Sequence, residues 1–211
     1  MTNPQDLIAG FHRFREQHFT DDDALYRQLV SEGQTPKILV VACCDSRVDP
    51  ALVLDCAPGD LFVIRNVANL VPPDENRIGG RHGTSAALEY GVKTLGVEHV
   101  IVLGHAHCGG IQALMRGSAT ENQESFISSW MRLAEQARTK VLQEMPAATS
   151  HELERACEQQ AILSSLDNLM SFDWIRERAE DGRLKLHGWY FDIEHGQLLQ
   201  YEADNRRFSA M

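Results

Sequence analysis

Residues 37–43 read KILVVAC, a short apolar run that lies between Thr35-Pro36 and Asp45-Ser46. A continuous apolar run of this length between turn-forming residues is typical of a strand that is buried on both faces. Two similar runs follow, LFVI at 61–64 and VIVL at 100–103. We therefore predict three strands in the first half of the chain, of which residues 37–43 form the first.

A helix is predicted between the second and the third of these strands. Leu88, Val92 and Leu95 share one helical face, and Thr84 or Ser85 is the expected N-cap. Buried strands that alternate with helices indicate a mainly parallel central sheet with helices on both faces. The sequence therefore predicts an α/β fold.

Further helices are predicted on both sides of this core from apolar residues at helical spacing. The residues that mark them are Leu7, Phe11 and Phe14; Leu25 and Leu29; Phe126, Trp130, Leu133 and Ala137; and Ile162, Leu166 and Leu169. Thr20 to Asp23 are the expected cap of the second of these helices, and Pro146 is expected to end the third. A polar loop is predicted at residues 117–120.

We expect a single domain. An N-terminal helical arm covers residues 1–33, a core that carries the chemistry covers 34–116, and helices and strands cover 117–211. In the last part, two apolar segments flank Glu194-His195-Gly196 and predict a C-terminal hairpin with an edge strand. Repeats, low-complexity tracts and a domain linker are not recognisable in the sequence.

Composition excludes several classes of function. The 211 residues are 43% hydrophobic and 24% charged, which is ordinary for a globular protein. There are 20 Lys and Arg against 30 Asp and Glu, so the net charge is −10. Because an acidic chain repels phosphate backbones, we expect no nucleic-acid partner.

The sequence predicts neither a membrane segment nor a disulfide framework. The longest apolar run ends at Cys44 and is far shorter than the roughly 20 residues that span a bilayer. The first ten residues lack the basic start and apolar stretch of a signal peptide. Five cysteines, an odd number, fit a reducing compartment. We therefore expect a cytoplasmic protein without a membrane partner.

Metal-ligating side chains follow two of the predicted strands. The first strand ends in CCDSR at 43–47, and the third is followed by HAHCGG at 105–110. The carboxyl ends of parallel strands form the usual ligand-binding edge of an open α/β sheet, so the two clusters are expected to converge. Cys43, His105 and Cys108 are ligands that suit Zn²⁺, and three ligands with one open position are the catalytic pattern.

Each of these residues also has a plain structural interpretation. Cys43 alone is more often a core residue, and His105 alone a satisfied interior histidine; the joint pattern favours a metal site. Cys44 should point to the opposite face of the sheet and is left out of the site. The remaining cysteines, at 56 and 157, are interpreted as packing residues, and His107 is expected to face solvent or a partner chain.

Asp45 and Arg47 have three possible roles beside the predicted metal. The pair could be an ordinary surface ion pair, which contributes little to stability. Alternatively, Asp45 could accept a hydrogen bond from metal-bound hydroxide while Arg47 holds the carboxylate in a bidentate pair. As a third possibility, Asp45 could itself take the fourth position on the metal and close the site.

These residues resemble the zinc signature of the β-class carbonic anhydrases. The resemblance runs from about residue 34 to 192 and includes the two clusters, RNVAN at 65–69 and LHGW at 186–189. It implies that Cys43, His105 and Cys108 hold one Zn²⁺ per subunit and that Asp45 and Arg47 are the catalytic dyad. The implied reaction is the reversible hydration of carbon dioxide to bicarbonate and a proton by attack of zinc-bound hydroxide.

The resemblance also implies a narrow substrate pocket and an oligomer. The positions that match the pocket are Gln34, Phe62, Val67, Tyr90 and Gly109. In the family some of these pocket residues come from the neighbouring subunit, so a homodimer is the expected minimum and a tetramer is possible. The N-terminal helices would embrace the partner. Without the resemblance, Phe62, Val67 and Tyr90 would be interpreted as core residues.

The chain departs from one family pattern. Some members carry a second, non-catalytic bicarbonate site made of a tryptophan, an arginine and a tyrosine, and the matching positions here are Val40, Arg65 and Phe191. Only the arginine is retained. We therefore predict that this second site is absent and that the resting zinc site at neutral pH is open, with water as its fourth ligand.

The proton acceptor and three other functions stay open at this level. Tyr90, His82 and His107 are candidate relays, and Thr94 stands where some members have a histidine. The same scaffold could hydrolyse carbon disulfide, act as a thiolate-based redox sensor or serve as an idle zinc-stabilised interaction module. An intact Asp45–Arg47 pair argues against the last two, because neither needs it.

Overall fold

A computed structural model describes residues 3–19, 25–75, 82–117 and 125–211 of the chain. In these ranges the strands are β1 Ile38–Cys43, β2 Leu61–Asn66, β3 His99–His105, β4 Lys185–Asp192, β5 Gln197–Glu202 and β6 Arg207–Ala210. They form one sheet in the order β2-β1-β3-β4-β5-β6. The first four strands of this order are parallel, and β5 and β6 are antiparallel to their neighbours. The predicted α/β fold with a mainly parallel sheet is confirmed.

Helices connect and cover the strands. The α-helices are α1 Pro4–His18, α2 Leu25–Glu32, α3 Pro50–Val53, α4 Gly83–Glu89, α5 Gly109–Met115, α6 Phe126–Met131, α7 Glu135–Glu144, α8 Ser150–Leu169 and α9 Asp173–Glu180. Short 3₁₀ turns lie at Val67–Asn69 and Arg132–Ala134, and a π-helical segment at Tyr90–Leu95 continues α4. As expected, α7 ends shortly before Pro146.

The continuous apolar sequence of β1 reflects burial on both faces. Leu39 and Val41 pack on one side of the sheet with the helical layer, and Val40 and Ala42 pack on the other. All four are at most 1% exposed. Because the neighbouring strands β2 and β3 lie on either side of β1, its carboxyl end is in the middle of the edge that binds ligands.

Two glycines allow helix α8 to lie close to the sheet. A Cβ placed on Gly104 in β3 would come within 2.7 Å of Ile162 Cδ1, and one on Gly188 in β4 within 3.0 Å of Ile162 Cγ2. The first distance would require Ile162 to shift, and the second is tighter than ordinary van der Waals contact. The close approach fixes α8 over β3 and β4 and sets the height at which its side chains meet the strand ends.

Several local predictions were wrong. The N-cap of α4 is His82 rather than Thr84 or Ser85, since the Thr84 hydroxyl instead accepts a hydrogen bond from Asn66 Nδ2 at 3.3 Å. Phe126 begins the predicted helix but is 99% exposed, so it does not belong to the buried stripe. Strand β6 and helix α9 were not predicted. The predicted cap at 20–23 and most of the loop at 117–120 lie outside the described residues.

The N-terminal helices contribute little to the core. Helix α1 has no buried residue and exposes Leu7, Ile8 and Phe11. Aromatic contacts join α1 to α2, with the rings of Phe19 and Tyr26 stacked at 4.8 Å. In the part of the chain that the structure describes, no helix has the length and apolarity needed to cross a bilayer.

Candidate metal centre

Three sulfur and nitrogen donors meet at the carboxyl edge of the sheet. Cys43 and His105 are the last residues of the adjacent parallel strands β1 and β3. Cys108 is the N-cap of α5, three residues after His105. Between them, His107 has a φ of 59°, a left-handed conformation that reverses the chain within one tight turn. The fold therefore brings together the three residues expected to bind the metal.

The distances fit a single tetrahedral ion. The Sγ atoms of Cys43 and Cys108 are 4.0 Å apart, and the three ligand atoms all lie within 4.8 Å of one another. Zinc–sulfur bonds of about 2.3 Å place two sulfurs about 3.8 Å apart in a tetrahedron. Small side-chain adjustments are enough to close this arrangement around Zn²⁺.

His105 is arranged as a ligand rather than as a core histidine. Its ring is 1% exposed, and Nδ1–H donates to the carbonyl oxygen of Ala106 at 2.8 Å. Since a carbonyl can only accept, the lone pair is on Nε2, which is buried and lacks a hydrogen-bond partner among the described residues. An unpaired buried nitrogen is costly, whereas a metal ion would satisfy it.

The two thiols form a pair that loses its first proton readily. A hydrogen bond from Cys108 lowers the pKa of Cys43 to about 4, although burial opposes the change. The same bond to the Cys43 thiolate, together with burial, raises the pKa of Cys108. Thiolate is the form that binds metals, so the first sulfur is ready at neutral pH and the second must yield its proton as a cation binds.

Asp45 and Arg47 form a bidentate pair beside the three donors. Arg47 Nε donates to Asp45 Oδ1 at 2.9 Å and Nη2 donates to Oδ2 at 2.7 Å; the backbone N–H of Arg47 also donates to Oδ1 at 2.9 Å. These bonds lower the pKa of Asp45 well below its ordinary value, although burial opposes them. The carboxylate is therefore charged at neutral pH and held in a fixed orientation.

A profile of the carbonic anhydrase family matches residues 38–198, about three quarters of the chain. The chain is also 42% identical over 204 residues to a chloroplastic β carbonic anhydrase of Arabidopsis thaliana. The chain belongs to the β-class carbonic anhydrases. The match covers 94% of the chain but 65% of that relative, so the chain spans about two thirds of the plant protein's length.

Solved structures of β-carbonic anhydrases share the whole fold. The β-carbonic anhydrase CcaA superposes with a TM-score of 0.90 at 37% identity, covering 98% of this chain and 91% of the other. One of two tetrameric β-carbonic anhydrases from Sordaria macrospora superposes with a TM-score of 0.75 at 29% identity, covering 93% of this chain and 92% of the other. The helical arm and the C-terminal strands thus belong to the shared architecture.

Arg65, the one arginine expected to be retained from the family's second bicarbonate site, has all its contacts within the protein itself. Its Nε donates to the carbonyl of Cys43 at 3.0 Å, Nη2 donates to the carbonyl of Asp45 at 2.7 Å, and Nη1 pairs with Asp49 at 2.7 Å. The guanidinium thus fixes the loop that carries Asp45 and Arg47. Val40, the position of the family's tryptophan, is completely buried in the sheet.

Glu158 is a residue of the β-carbonic anhydrase site that the sequence analysis missed. It is 4% exposed on the inner face of α8; Oε1 accepts from the backbone N–H of Cys108 at 2.9 Å and Oε2 from the hydroxyl of Tyr190 at 2.7 Å. Burial raises the pKa of Glu158, and the two hydrogen bonds oppose the rise. A signal was present, because this carboxylate stands four residues before Ile162 on the predicted apolar stripe.

The positions expected to form the substrate pocket do not all meet in one chain. Gly109 begins α5 next to the metal ligands, and a side chain there would face open space. Val67 lies in the 3₁₀ turn after β2, where its carbonyl accepts from Trp130 Nε1 at 2.8 Å. These two positions are at the carboxyl edge of the sheet, on the same side as Cys43.

Phe62, Tyr90 and Gln34 lie toward the other end of the strands. The rings of Phe62 and Tyr90 are 5.9 Å apart, and Phe62 pairs in register with Leu39. Cys43 lies four positions beyond Leu39 on β1, a rise of about 13 Å along the strand. Gln34 is exposed and precedes the amino end of β1. Within one chain, this group is therefore remote from the metal centre.

Proposed function

We propose that this chain catalyses the reversible hydration of carbon dioxide to bicarbonate and a proton, with one Zn²⁺ per subunit held by Cys43, His105 and Cys108. The observation that carries the proposal is the convergence of two thiols and an unpaired imidazole nitrogen, all buried, within 4.8 Å of one another. Three protein donors leave one corner of a tetrahedron for water, which is the catalytic arrangement of zinc sites.

The dyad would orient the reacting water. Bound Zn²⁺ supplies a Lewis acid that lowers the pKa of a water to about 7. Asp45, charged and fixed by Arg47, would accept a hydrogen bond from this water and direct its lone pair at the carbon of the substrate. A charged carboxylate can only accept hydrogen bonds. Asp45 would therefore interact with the water, which is a donor, in preference to carbon dioxide, which has no hydrogen to donate.

We further propose that the resting site is open at neutral pH. Both oxygens of Asp45 accept hydrogen bonds from Arg47, and Arg65 holds the backbone carbonyl of Asp45. For Asp45 to reach the metal, the bidentate pair would have to break. A crystal structure of the zinc form at pH 8 with an Asp45 oxygen about 2.0–2.2 Å from zinc would contradict this proposal.

A second copy of the chain is proposed to complete the pocket. Gln34, Phe62 and Tyr90 lie away from the metal ligands of their own chain, and Tyr90 is 44% exposed. The apolar face of α1 is exposed as well, which suits an arm that packs on a neighbour. The relative from Sordaria macrospora is described as tetrameric. Light scattering of the purified protein should give a mass of at least two chains, and a monomer would refute the proposal.

A cytoplasmic location is the remaining proposal. It rests on the odd number of cysteines, all of them free thiols in the structure, which suits a reducing compartment. Fractionation of cells that produce the protein should recover it with cytoplasmic markers. Recovery with membranes or in the external medium would contradict the assignment.

Stopped-flow hydration of carbon dioxide tests the activity directly. The native protein should contain one zinc per chain, and its turnover should rise with pH through a value near 7. Cys108→Ser should lose the metal and the activity together, whereas Cys44→Ser, which changes an exposed neighbour of Cys43, should keep both. Zinc retention without hydration by the native protein would favour an idle module, and turnover of carbon disulfide alone would favour a hydrolase of that substrate.

A further inference from the structure

A second group of metal-ligating side chains lies beside the metal centre. It consists of His107 in the turn between β3 and α5, His151 at the second position of α8, and Glu194 in the turn between β4 and β5. The nearest ligand atoms of these three residues all lie within 4.8 Å of one another. Three separate elements of the fold therefore bring an imidazole, an imidazole and a carboxylate to one point.

We propose that His107, His151 and Glu194 form a second, solvent-accessible site for a divalent transition-metal ion of the Zn²⁺ type. Two imidazoles and one carboxylate are a donor set that zinc accepts, whereas Ca²⁺ and Mg²⁺ prefer sites made only of oxygen. Because no thiolate contributes, this site should be weaker and more exchangeable than the cysteine site.

The present distances need little change to hold an ion. His107 Nε2 lies 3.4 Å from Glu194 Oε2. Bonds of about 2.0–2.1 Å to nitrogen and oxygen separate neighbouring ligands by about 3.4 Å in a tetrahedron, so this pair already has the required spacing. The rings of His107 and His151 have centroids 5.7 Å apart. His151 and Glu194 are exposed, so their side chains are free to close on an ion that arrives from solvent.

The surrounding charges are compatible with a cation. A small cavity beside the two histidines is lined by Glu154, Glu158 and Arg155, among others. The guanidinium of Arg155 is neutralised by Asp192 at 2.7 Å. Glu154 is in turn paired with Arg116 at 3.5 Å, so the carboxylates around the cavity balance the guanidiniums and leave no net positive charge beside the proposed ligands.

A competing set that shares Glu194 is less suitable. Asp192, Glu194 and His195 also lie within reach of one another, but Asp192 already binds Arg155 and accepts hydrogen bonds from the backbone and ring of His195. Metal binding there would have to break the ion pair of the buried Asp192 carboxylate with Arg155. Asp192 instead accepts from the backbone N–H of Glu194 at 3.1 Å and so fixes the turn that presents Glu194 to the histidines.

The proposed site is connected to the dyad through the backbone of His107. The carbonyl oxygen of His107 accepts a hydrogen bond from Arg47 Nη2 at 3.0 Å. An ion held on the His107 ring would therefore stiffen the turn on which Arg47 rests. This connection follows from the geometry alone and does not require the proposed hydration activity.

Zinc binding by the full-length protein tests the proposal. Protein that already holds one zinc per chain should take up a second equivalent in equilibrium dialysis against Zn²⁺, measured by elemental analysis. His151→Ala and, separately, Glu194→Gln should weaken the second binding at least tenfold and leave the first equivalent in place. His12→Ala, which removes an exposed histidine of α1 that is not part of the cluster, is the matched control and should bind as the native protein does.

Cobalt provides a spectroscopic check of which ligands are used. Co²⁺ added to the zinc-loaded protein should give visible ligand-field bands without thiolate-to-cobalt charge transfer, because no cysteine takes part. These bands should be lost in His151→Ala. The proposal is wrong if the native protein binds only one equivalent, or if both variants take up the second equivalent with native affinity.

Discussion

Arg47 Nη2 donates to the carbonyl oxygen of His107 at 3.0 Å while the same nitrogen donates to Asp45 Oδ2 at 2.7 Å. Sixty positions separate Arg47 from His107 in the sequence. The bond joins the loop after β1, which carries Asp45 and Arg47, to the turn between β3 and α5, which lies between the candidate ligands His105 and Cys108. The orientation of the Asp45 carboxylate therefore depends on the conformation of this turn.

Arg47→Lys should separate metal binding from turnover. A lysine presents one ammonium in place of the planar guanidinium, so it cannot pair with both oxygens of Asp45 and reach the His107 carbonyl as well. We expect zinc content to stay at one per chain and the hydration rate to fall about 10²-fold, the cost of a misplaced orienting group. Elemental analysis and stopped-flow hydration of the same preparation measure the two effects.

Arg183→Lys is the matched control for this substitution. Arg183 pairs with Asp181 through the same spacing of two residues, with a backbone bond of 3.1 Å and an Nε bond of 2.8 Å, but at the opposite end of the sheet. Its replacement should leave zinc and turnover unchanged. Equal losses of activity in the two variants would show that the effect comes from stability rather than from the dyad.

Glu158→Leu should weaken both the fold and the metal site. The leucine fills the space but leaves the backbone N–H of Cys108 and the hydroxyl of Tyr190 without acceptors, and each unsatisfied buried donor costs about 1–3 kcal/mol. Since Cys108 is then less firmly placed, zinc should also dissociate about 10–100-fold faster, as after loss of other outer-shell partners of metal ligands. Urea unfolding and transfer of zinc to a chelator measure the two changes.

Glu154→Leu, on the same helix, controls for the loss of a carboxylate from α8. Glu154 pairs with the exposed guanidinium of Arg116 at 3.5 Å, and among the described residues it makes no hydrogen bond to Cys43, His105 or Cys108. It should release zinc at the native rate. If Glu158→Leu also released zinc at the native rate, the assignment of Glu158 as a positioning residue would be wrong.

The sequence predicted the parts of the site that depend on strand ends and failed where tertiary contacts decide. Cys43 and His105 could be placed together because parallel strands share one carboxyl edge. The bond from Cys108 to Glu158 spans 50 residues and depends on how α8 is rotated over the sheet, which no local pattern records. The cap at Thr84 was wrong for the same reason, because a side chain 18 residues away takes its hydroxyl.

Asp192 should make stability sensitive to acid. Burial opposes its ionisation, but the hydrogen bonds from Arg155 and His195 outweigh burial and lower the pKa to about 2 in the folded chain, below the ordinary 3.8. The carboxyl is 2% exposed, so solvent screens its interactions little. Its contribution to the free energy of unfolding is full above pH 3.8 and is lost as the pH falls toward 2. By linkage this amounts to about 2 kcal/mol.

Denaturation at pH 5 and pH 2.5 measures this contribution. Asp192→Asn should be less stable than the native protein at pH 5 and lose less of its stability between the two pH values. Asp181→Asn breaks an ion pair of exposed groups and is the control; its pH dependence should follow the native curve closely. A native slope in Asp192→Asn would show that other carboxyls account for the acid sensitivity.

Gly104→Ala should destabilise the protein because α8 lies too close for a methyl group. The added Cβ would lie 2.7 Å from Ile162 Cδ1 and 2.8 Å from Cγ1, and overpacking of this kind costs about 1–3 kcal/mol. In an Ile162→Ala background both of these atoms are absent, so the same change should cost much less. Urea unfolding of the four proteins in this double-mutant cycle gives the coupling between the two positions.

Gly83→Ala is the control, since a Cβ there would meet nothing within 4 Å, and it should leave stability nearly unchanged. An equal cost of Gly104→Ala in both backgrounds would mean that the strand itself, rather than α8, requires the glycine.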